Sequence, residues 1–322
     1  MSTSKESTAM EKWALVFPGQ GSQFVGMGDD FYREYDAFRE VFSLVREITG
    51  LDMARLCREG PREELDQTVH TQLAVLAFEM GVYDLFRKDF GTDPQAAAGH
   101  SLGEYSALYA AGALSRTDAI TIVQARAKRH QEALPPGGGA MAAVLGLDGE
   151  ETARICRASV LPGEILDLAN LNAPNQIVIS GSARSVANVG AQAGEKGIKK
   201  FVPLPISVPC HSRLLDAAAE VFSTDLECVS FHTPRFPVLP NYDPRRFHAP
   251  EISRELLKRQ MVSPVRWQET VERMLSLGIT TFVEIGPRRV LSGLIKNIDR
   301  RSRLLYIGDI ETLRKTTAAL SP

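Results

Sequence analysis

Short apolar runs alternate along this chain with longer stretches whose apolar residues recur every three to four positions. Residues 13–17 (WALVF) are apolar throughout and stop at Pro18-Gly19-Gln20-Gly21-Ser22-Gln23, the pattern of a short buried strand running into a loop. A helix is predicted from about Val25. Residues 71–90 carry apolar positions at helical spacing and predict a long amphipathic helix. The apolar run ending at Ala98 then enters Gly99-His100-Ser101-Leu102-Gly103, and an alanine-rich helical stretch follows. A further helix is predicted over 115–133, with Ser115 as its N-cap. Strands alternating with longer helices predict an α/β core around a largely parallel sheet.

At residues 135–139 (PPGGG) the pattern changes. The order becomes strand (140–145), helix (150–158), strand (165–171), strand (176–180), helix (183–195) and strand (199–203). Asn172-Ala173-Pro174-Asn175 provides turn chemistry for a hairpin between the middle strands. This β-α-β-β-α-β order is that of a ferredoxin-like subdomain. The alternation resumes with helices expected at 214–227, 251–261 and 267–277, and strands near Val238 and at 281–284, the latter followed by the turn Gly286-Pro287. The division predicted is a large hydrolase-like α/β domain (1–134 and 208–322, with 1–12 a loose polar tail) and an inserted small domain (135–207). The cleft between them is the expected substrate site.

Composition narrows the picture little. The 322 residues are 44% hydrophobic and 24% charged, with a formal net charge of −2, which gives no basis for bulk binding to nucleic acid or a membrane surface. Cys57, Cys156, Cys210 and Cys228 form no C-x-x-C pair, so a structural zinc is not expected and a reduced cytoplasmic setting is. No secretory signal or membrane span is expected.

The chemistry begins at Ser101. Glycines two residues either side of a serine, between strand and helix, form a nucleophile elbow that lifts the hydroxyl out of the sheet. The same turn leaves N–H groups of the helix's first turn free to bind a developing oxyanion. A serine nucleophile needs a base, usually histidine. Of the six histidines, His100 neighbours Ser101 and should point elsewhere, and His130 lies in a charged stretch (Arg126 to His130) that reads as a solvated helix face. His211, in Val208-Pro209-Cys210-His211-Ser212 at the second domain boundary, is the leading candidate, with His232 and His248 as the others.

Taken in order, Phe17-Pro18-Gly19-Gln20-Gly21-Ser22-Gln23, Gly99-His100-Ser101-Leu102-Gly103-Glu104, Arg126, Pro209-Cys210-His211 and Gln260 resemble the malonyl-CoA:acyl carrier protein transacylases. The similarity runs from about residue 12 to about residue 300 and takes in Gly139 to Ala143 and Glu284 to Pro287. The resemblance implies that Ser101 takes up a malonyl group as an ester and passes it to the phosphopantetheine thiol of an acyl carrier protein by a ping-pong route. It implies that His211 is the general base, oriented by the main-chain carbonyl of Gln260. The N–H groups of Gln20 and Leu102 would form the oxyanion hole, and Arg126 would bind the malonyl carboxylate through two parallel hydrogen bonds. Gln72 matches a pocket-lining position.

Two positions depart from the family pattern. His130 stands where methionine is usual, so the pocket wall would be more polar. Cys210 stands where serine or phenylalanine is common, which bears on tolerance of α-substituted malonyl groups. No metal or redox cofactor is implied. The partners implied are a CoA thioester and an acidic carrier protein, met by basic residues among Lys196, Lys199, Lys200, Arg288, Arg289, Lys296, Arg300 and Arg301, on a monomer. Two rival readings are a hydrolase with the same elbow and a docking protein that kept the fold. Arg126 argues against the first, and intact Ser101, His211 and Gln20 against the second.

Overall fold

The computed structural model describes residues 12–135, 137–206 and 208–321. The predicted tail lies outside them except for Lys12, which is anchored: its carbonyl accepts from the N–H groups of Thr280 and Thr281.

Among the described residues, nine strands divide between two sheets. In chain order they are β1 (Trp13–Phe17), β2 (Ala96–Gly99), β3 (Gly139–Leu145), β4 (Leu166–Ala173), β5 (Gln176–Ser182), β6 (Lys200–Pro203), β7 (Val238–Leu239), β8 (Thr281–Ile285) and β9 (Arg303–Ile307). The first sheet is parallel throughout, in the order β7-β2-β1-β8-β9. Its central strand β1 is buried at every residue, as a strand covered on both faces must be. Successive side chains leave a strand on opposite faces, so Trp13, Leu15 and Phe17 enter one hydrophobic cluster while Ala14 and Val16 enter another. Trp13 to Phe17 thus seed both cores of the α/β layer from one strand.

Helices fill those faces. On the first lie α1 (Asp29–Glu34), α2 (Asp36–Thr49), α3 (Met53–Glu59), α4 (Arg62–Leu65), α5 (Thr68–Phe90), α6 (Gly103–Ala110) and α7 (Arg116–Glu132). Ser115 caps α7 as predicted, accepting from Asp118 N. The helix expected from Val25 begins later, at Asp29, because Gly26 and Gly28 hold left-handed turns with φ of 101° and 73°. The helix expected over 71–90 is present as α5, but it is not amphipathic in its burial: every residue from Thr71 to Tyr83 is buried. It runs between the sheet and an outer layer, and Phe38 of α2 packs directly on Gly81.

The second sheet is antiparallel, in the order β4-β5-β3-β6. With α8 (Gly149–Ser159) and α9 (Ala183–Ala191) it has the ferredoxin-like order expected. The hairpin turn is tighter than expected, because Asn172 and Ala173 belong to β4 and the turn is Pro174-Asn175, with Asn175 at φ 61°. Helix α9 ends at Ala191, four residues earlier than expected, ahead of Gly194 and Gly197. Alternation again decides the layers. Ala142 and Val144 of β3 pack on α8 and α9, whereas Met141 and Ala143 join Ala169 and Val178 on the opposite face.

The chain then returns to the parallel sheet through α10 (Asp216–Glu227), α11 (Ser253–Val262), α12 (Trp267–Ser276), α13 (Leu291–Ile298) and α14 (Ile310–Leu320). Helices α12 and α13 cover the sheet's second face. Three pieces of this layer, α13, β9 and α14, lie outside the periodicity reading, as do α2 to α4. Five of these six run to eleven residues or fewer, where the hydrophobic period is hard to read, but α2 spans fourteen.

Candidate active site

Two glycines make the elbow possible by close approach. A Cβ on Gly99 would stand 1.8 Å from the carbonyl carbon of Gly103, and one on Gly103 would stand 2.1 Å from the carbonyl oxygen of Phe17. The turn between them sets Ser101 at φ 54°, a left-handed conformation that is costly for a serine. Asn241, just after β7, holds the turn from both sides. Its Oδ1 accepts from Ser101 N at 2.6 Å and its Nδ2 donates to Gly99 O at 2.6 Å. Nothing in the sequence pattern marked Asn241, since its partners lie about 140 residues away.

Ser101 Oγ is 2.8 Å from His211 Nε2. His211 is buried, also in the left-handed region (φ 60°), and its Nδ1 lies 2.7 Å from the carbonyl oxygen of Gln260 on α11. A carbonyl only accepts, so Nδ1 carries the hydrogen and Nε2 is left as the proton acceptor facing the serine. Burial, and secondarily the charge of Arg126, push the imidazole pKa down to about 3, so it is neutral at ordinary pH. The other histidines are engaged elsewhere. His100 Nε2 lies 2.8 Å from Asn172 Oδ1 on β4, His248 meets Glu104 and Ser253, and His232 is exposed.

Arg126 projects from α7 with 1% of its surface exposed. Its Nη2 donates to Ser101 Oγ at 3.1 Å and to Gln260 Oε1 at 3.0 Å, and its Nη1 donates to Gln72 Oε1 at 2.6 Å. Tyr105 lies beneath the guanidinium, 5.4 Å from its carbon to the ring centre. Among the described residues no carboxylate pairs with it. Most buried charges are paired, because desolvating a lone one costs several kcal/mol.

His130 corrects the sequence reading: it is fully buried, not on a solvated face. Since Arg126 only donates, it fixes the Gln72 amide with Oε1 forward, and Gln72 Nε2 then donates to His130 Nδ1 at 3.2 Å. Burial and the Arg126 charge hold the His130 pKa well below its usual value. Both residues stand behind Arg126, off the cavity wall.

The cavity itself, of about 300 Å³, opens between the two sheets. Gln20, Ser101, Arg126 and His211 form its polar side, Leu102 also lines it, and Met141 and Val178 belong to its apolar side from the small sheet. Gly19 fits tightly against the elbow: a Cβ there would be 3.7 Å from Leu102 N and 2.5 Å from His100 O. The Gly19-Gln20 loop therefore sits beside the first N–H of the elbow helix. Cys210 also lines the cavity, and burial raises its thiol pKa to about 11, which leaves it a poor nucleophile. Among the described residues no group of three His, Cys, Asp or Glu is disposed to hold a metal, and no helix is long and apolar enough to cross a membrane.

Residues 14–303 match the acyl transferase domain family. The chain is 42% identical to the malonyl CoA-acyl carrier protein transacylase of Bacillus subtilis over 94% of its own length and 96% of that protein's. It is 40% identical to the Escherichia coli K12 protein of the same description, over 90% and 93%. Among solved structures, the malonyl CoA-acyl carrier protein transacylase of Coxiella burnetii superposes with a TM-score of 0.94 at 38% identity, covering 97% of this chain and 99% of that one. A malonyl-transacylase in complex with its type II PKS acyl-carrier protein gives a TM-score of 0.93 at 38% identity, covering 96% and 100%. A strand–elbow–helix serine facing a buried histidine, a buried guanidinium with no carboxylate partner among the described residues, and these likenesses over nearly the whole chain agree: it belongs to the malonyl-CoA:acyl carrier protein transacylase family.

Proposed function

We propose that this chain transfers a malonyl group from malonyl-CoA to the phosphopantetheine thiol of an acyl carrier protein, through a malonyl ester on Ser101. His211 Nε2 takes the Ser101 hydroxyl proton as Oγ attacks the thioester carbonyl. The oxyanion that forms is held by the N–H groups of Leu102 and Gln20. Collapse expels the CoA thiolate, which takes the proton back from the imidazolium. The carrier thiol then enters, gives its proton to His211 and attacks the ester carbonyl; collapse breaks the bond to Ser101 Oγ, which takes the proton back from the imidazolium and restores the free hydroxyl and neutral histidine. Each step moves only a proton and an acyl group, so the reaction calls for no metal or redox cofactor.

One observation carries the substrate reading: a buried guanidinium without a carboxylate partner among the described residues, 3.1 Å from the nucleophile and facing a cavity. A malonyl carboxylate would supply the missing counter-charge through two charge-assisted hydrogen bonds. Gln72 and His130 support Arg126 from behind and shape the substrate site through it. The carrier protein is acidic in this reading and approaches the mouth of the cavity. There Val290 and Leu291 follow the exposed Arg288 and Arg289, and Lys296 lies one to two turns on. We further assign residues 1–134 and 208–322 to one domain and 135–207 to an inserted one, because the two sheets share no strand. The working form is a cytoplasmic monomer.

The test is intact-mass measurement after seconds with malonyl-CoA, methylmalonyl-CoA or acetyl-CoA, with and without holo carrier protein. A malonyl adduct on Ser101 that moves to the carrier is expected. An adduct that passes to water, or forms equally with acetyl-CoA, overturns the reading in favour of a hydrolase.

A further inference from the structure

Glu104, in the first turn of α6, has no side-chain exposure, and no step of the proposed transfer uses it. Its carboxylate is nonetheless surrounded by donors from three separate segments. Oε2 accepts from Asn241 N at 2.9 Å and from Gln260 Nε2 at 2.8 Å. Oε1 lies 2.7 Å from His248 Nε2, which must carry a hydrogen because the carboxylate facing it only accepts. His248 is itself held, with Nδ1 3.0 Å from Ser253 Oγ.

The consequence falls on Gln260. A side-chain amide has an accepting end and a donating end, and either could be turned toward Arg126. Its Nε2 end sits between Ser101 O, at 2.9 Å, and Glu104 Oε2. Turning the amide over would set Oε1 against those two oxygens and the NH₂ group against a guanidinium that only donates. With the carboxylate in place, Oε1 must face Arg126 Nη2, at 3.0 Å. The guanidinium is then held between Gln260 Oε1 and Gln72 Oε1.

We propose that Glu104, braced by His248, is a positioning residue that orients the Gln260 amide and thereby the Arg126 guanidinium, so that preference for malonyl over acetyl groups depends on a carboxylate that never touches substrate. The inference rests on the reading of Arg126 as the carboxylate-binding group.

The experiment compares the full-length wild type with Glu104→Gln and His248→Asn. Asparagine can still reach Ser253 but is too short to donate to Glu104. Ser101 acylation by malonyl-CoA and acetyl-CoA is measured as kcat/KM, and the nucleophile and base are probed separately by fluorophosphonate labelling of Ser101. A glutamine at 104 cannot accept from all three donors. Its malonyl-to-acetyl ratio is expected to fall on the order of tenfold, through the KM for malonyl-CoA, with labelling kept within about twofold. For His248→Asn a fall of about threefold or more is expected, so a Glu104→Gln chain that does not fold still leaves the question decidable. An unchanged ratio in a folded variant overturns the proposal. So does an equal loss of malonyl, acetyl and fluorophosphonate reactivity, which would mark Glu104 as merely structural. A wild-type chain that takes no malonyl group overturns the functional reading along with it, whereas a malonyl-selective wild type with insensitive variants overturns this inference alone.

Discussion

Ser101 and His211 both sit at positive φ, and each is held there by long-range contacts rather than by any local preference. The pairing of 2.8 Å across 110 residues makes a concrete demand: Ser101→Ala should abolish the acyl adduct, and any residual mass shift from malonyl-CoA would sink the nucleophile assignment. For Arg126, loss of two charge-assisted hydrogen bonds predicts that Arg126→Ala lowers kcat/KM for malonyl-CoA roughly a hundredfold or more while acetyl-CoA changes far less. Equal losses with both substrates would remove its carboxylate role. The histidine yields a pH prediction. Its pKa falls from 6.5 to about 3 on folding, so the base stays neutral as the pH drops, and fluorophosphonate labelling should be flat from about pH 8 to about pH 5. A half-point near 6.5 would contradict it. The same shift means the unfolded chain gains a proton below 6.5 that the folded chain refuses until about 3, so His211 makes stability fall as the pH falls through that window.

At the scale of elements, the elbow works because β1, β2 and α6 approach more closely than side chains allow. Gly103→Ala would drive a methyl to within 2.1 Å of Phe17 O, and the backbone there cannot give without separating α6 from β1. A loss of about 3 kcal/mol or more is expected in urea unfolding, and a change under about 1 kcal/mol would show that the elbow relaxes easily. The elbow was legible because its constraint is local: glycine, serine and glycine fall within five residues. Helix α5 was legible as a helix but not as a buried one. Its sequence leaves polar residues such as Gln72 and Glu79 inside, and their partners, Arg126 and Ser106, come from other helices. His130 was misread for the same reason. A basic stretch looks solvated until the helix that covers it is known.

For the molecule as a whole, what matters is how the small sheet is tied to the residues that the large one presents. Asp167 of β4 accepts from Ser212 Oγ and Arg213 N, each at 3.0 Å, and pairs with the Arg213 guanidinium at 2.7 Å, directly after His211. Backbone bonds from Leu171 N to Val265 O and from Val265 N to Ala169 O fix β4 beside the start of α12. Asp167→Ala should therefore loosen the histidine loop and lower kcat about tenfold, with a smaller effect on KM; an unchanged kcat would show that the loop is held without this link. The sequence alone determined the alternation of strand and helix, the inserted β-α-β-β-α-β unit, the elbow and the list of reactive residues. All of these are carried by spacing over a few residues or by a pattern of separated motifs. Only the tertiary structure decided that Gln72 and His130 stand behind Arg126, and that Asn241 and Glu104 brace the groups around Ser101. Those outcomes depend on contacts between residues from tens to more than a hundred positions apart. Hydrogen-bond direction and burial choose among chemically equivalent side chains there, and neither quantity is written in local sequence.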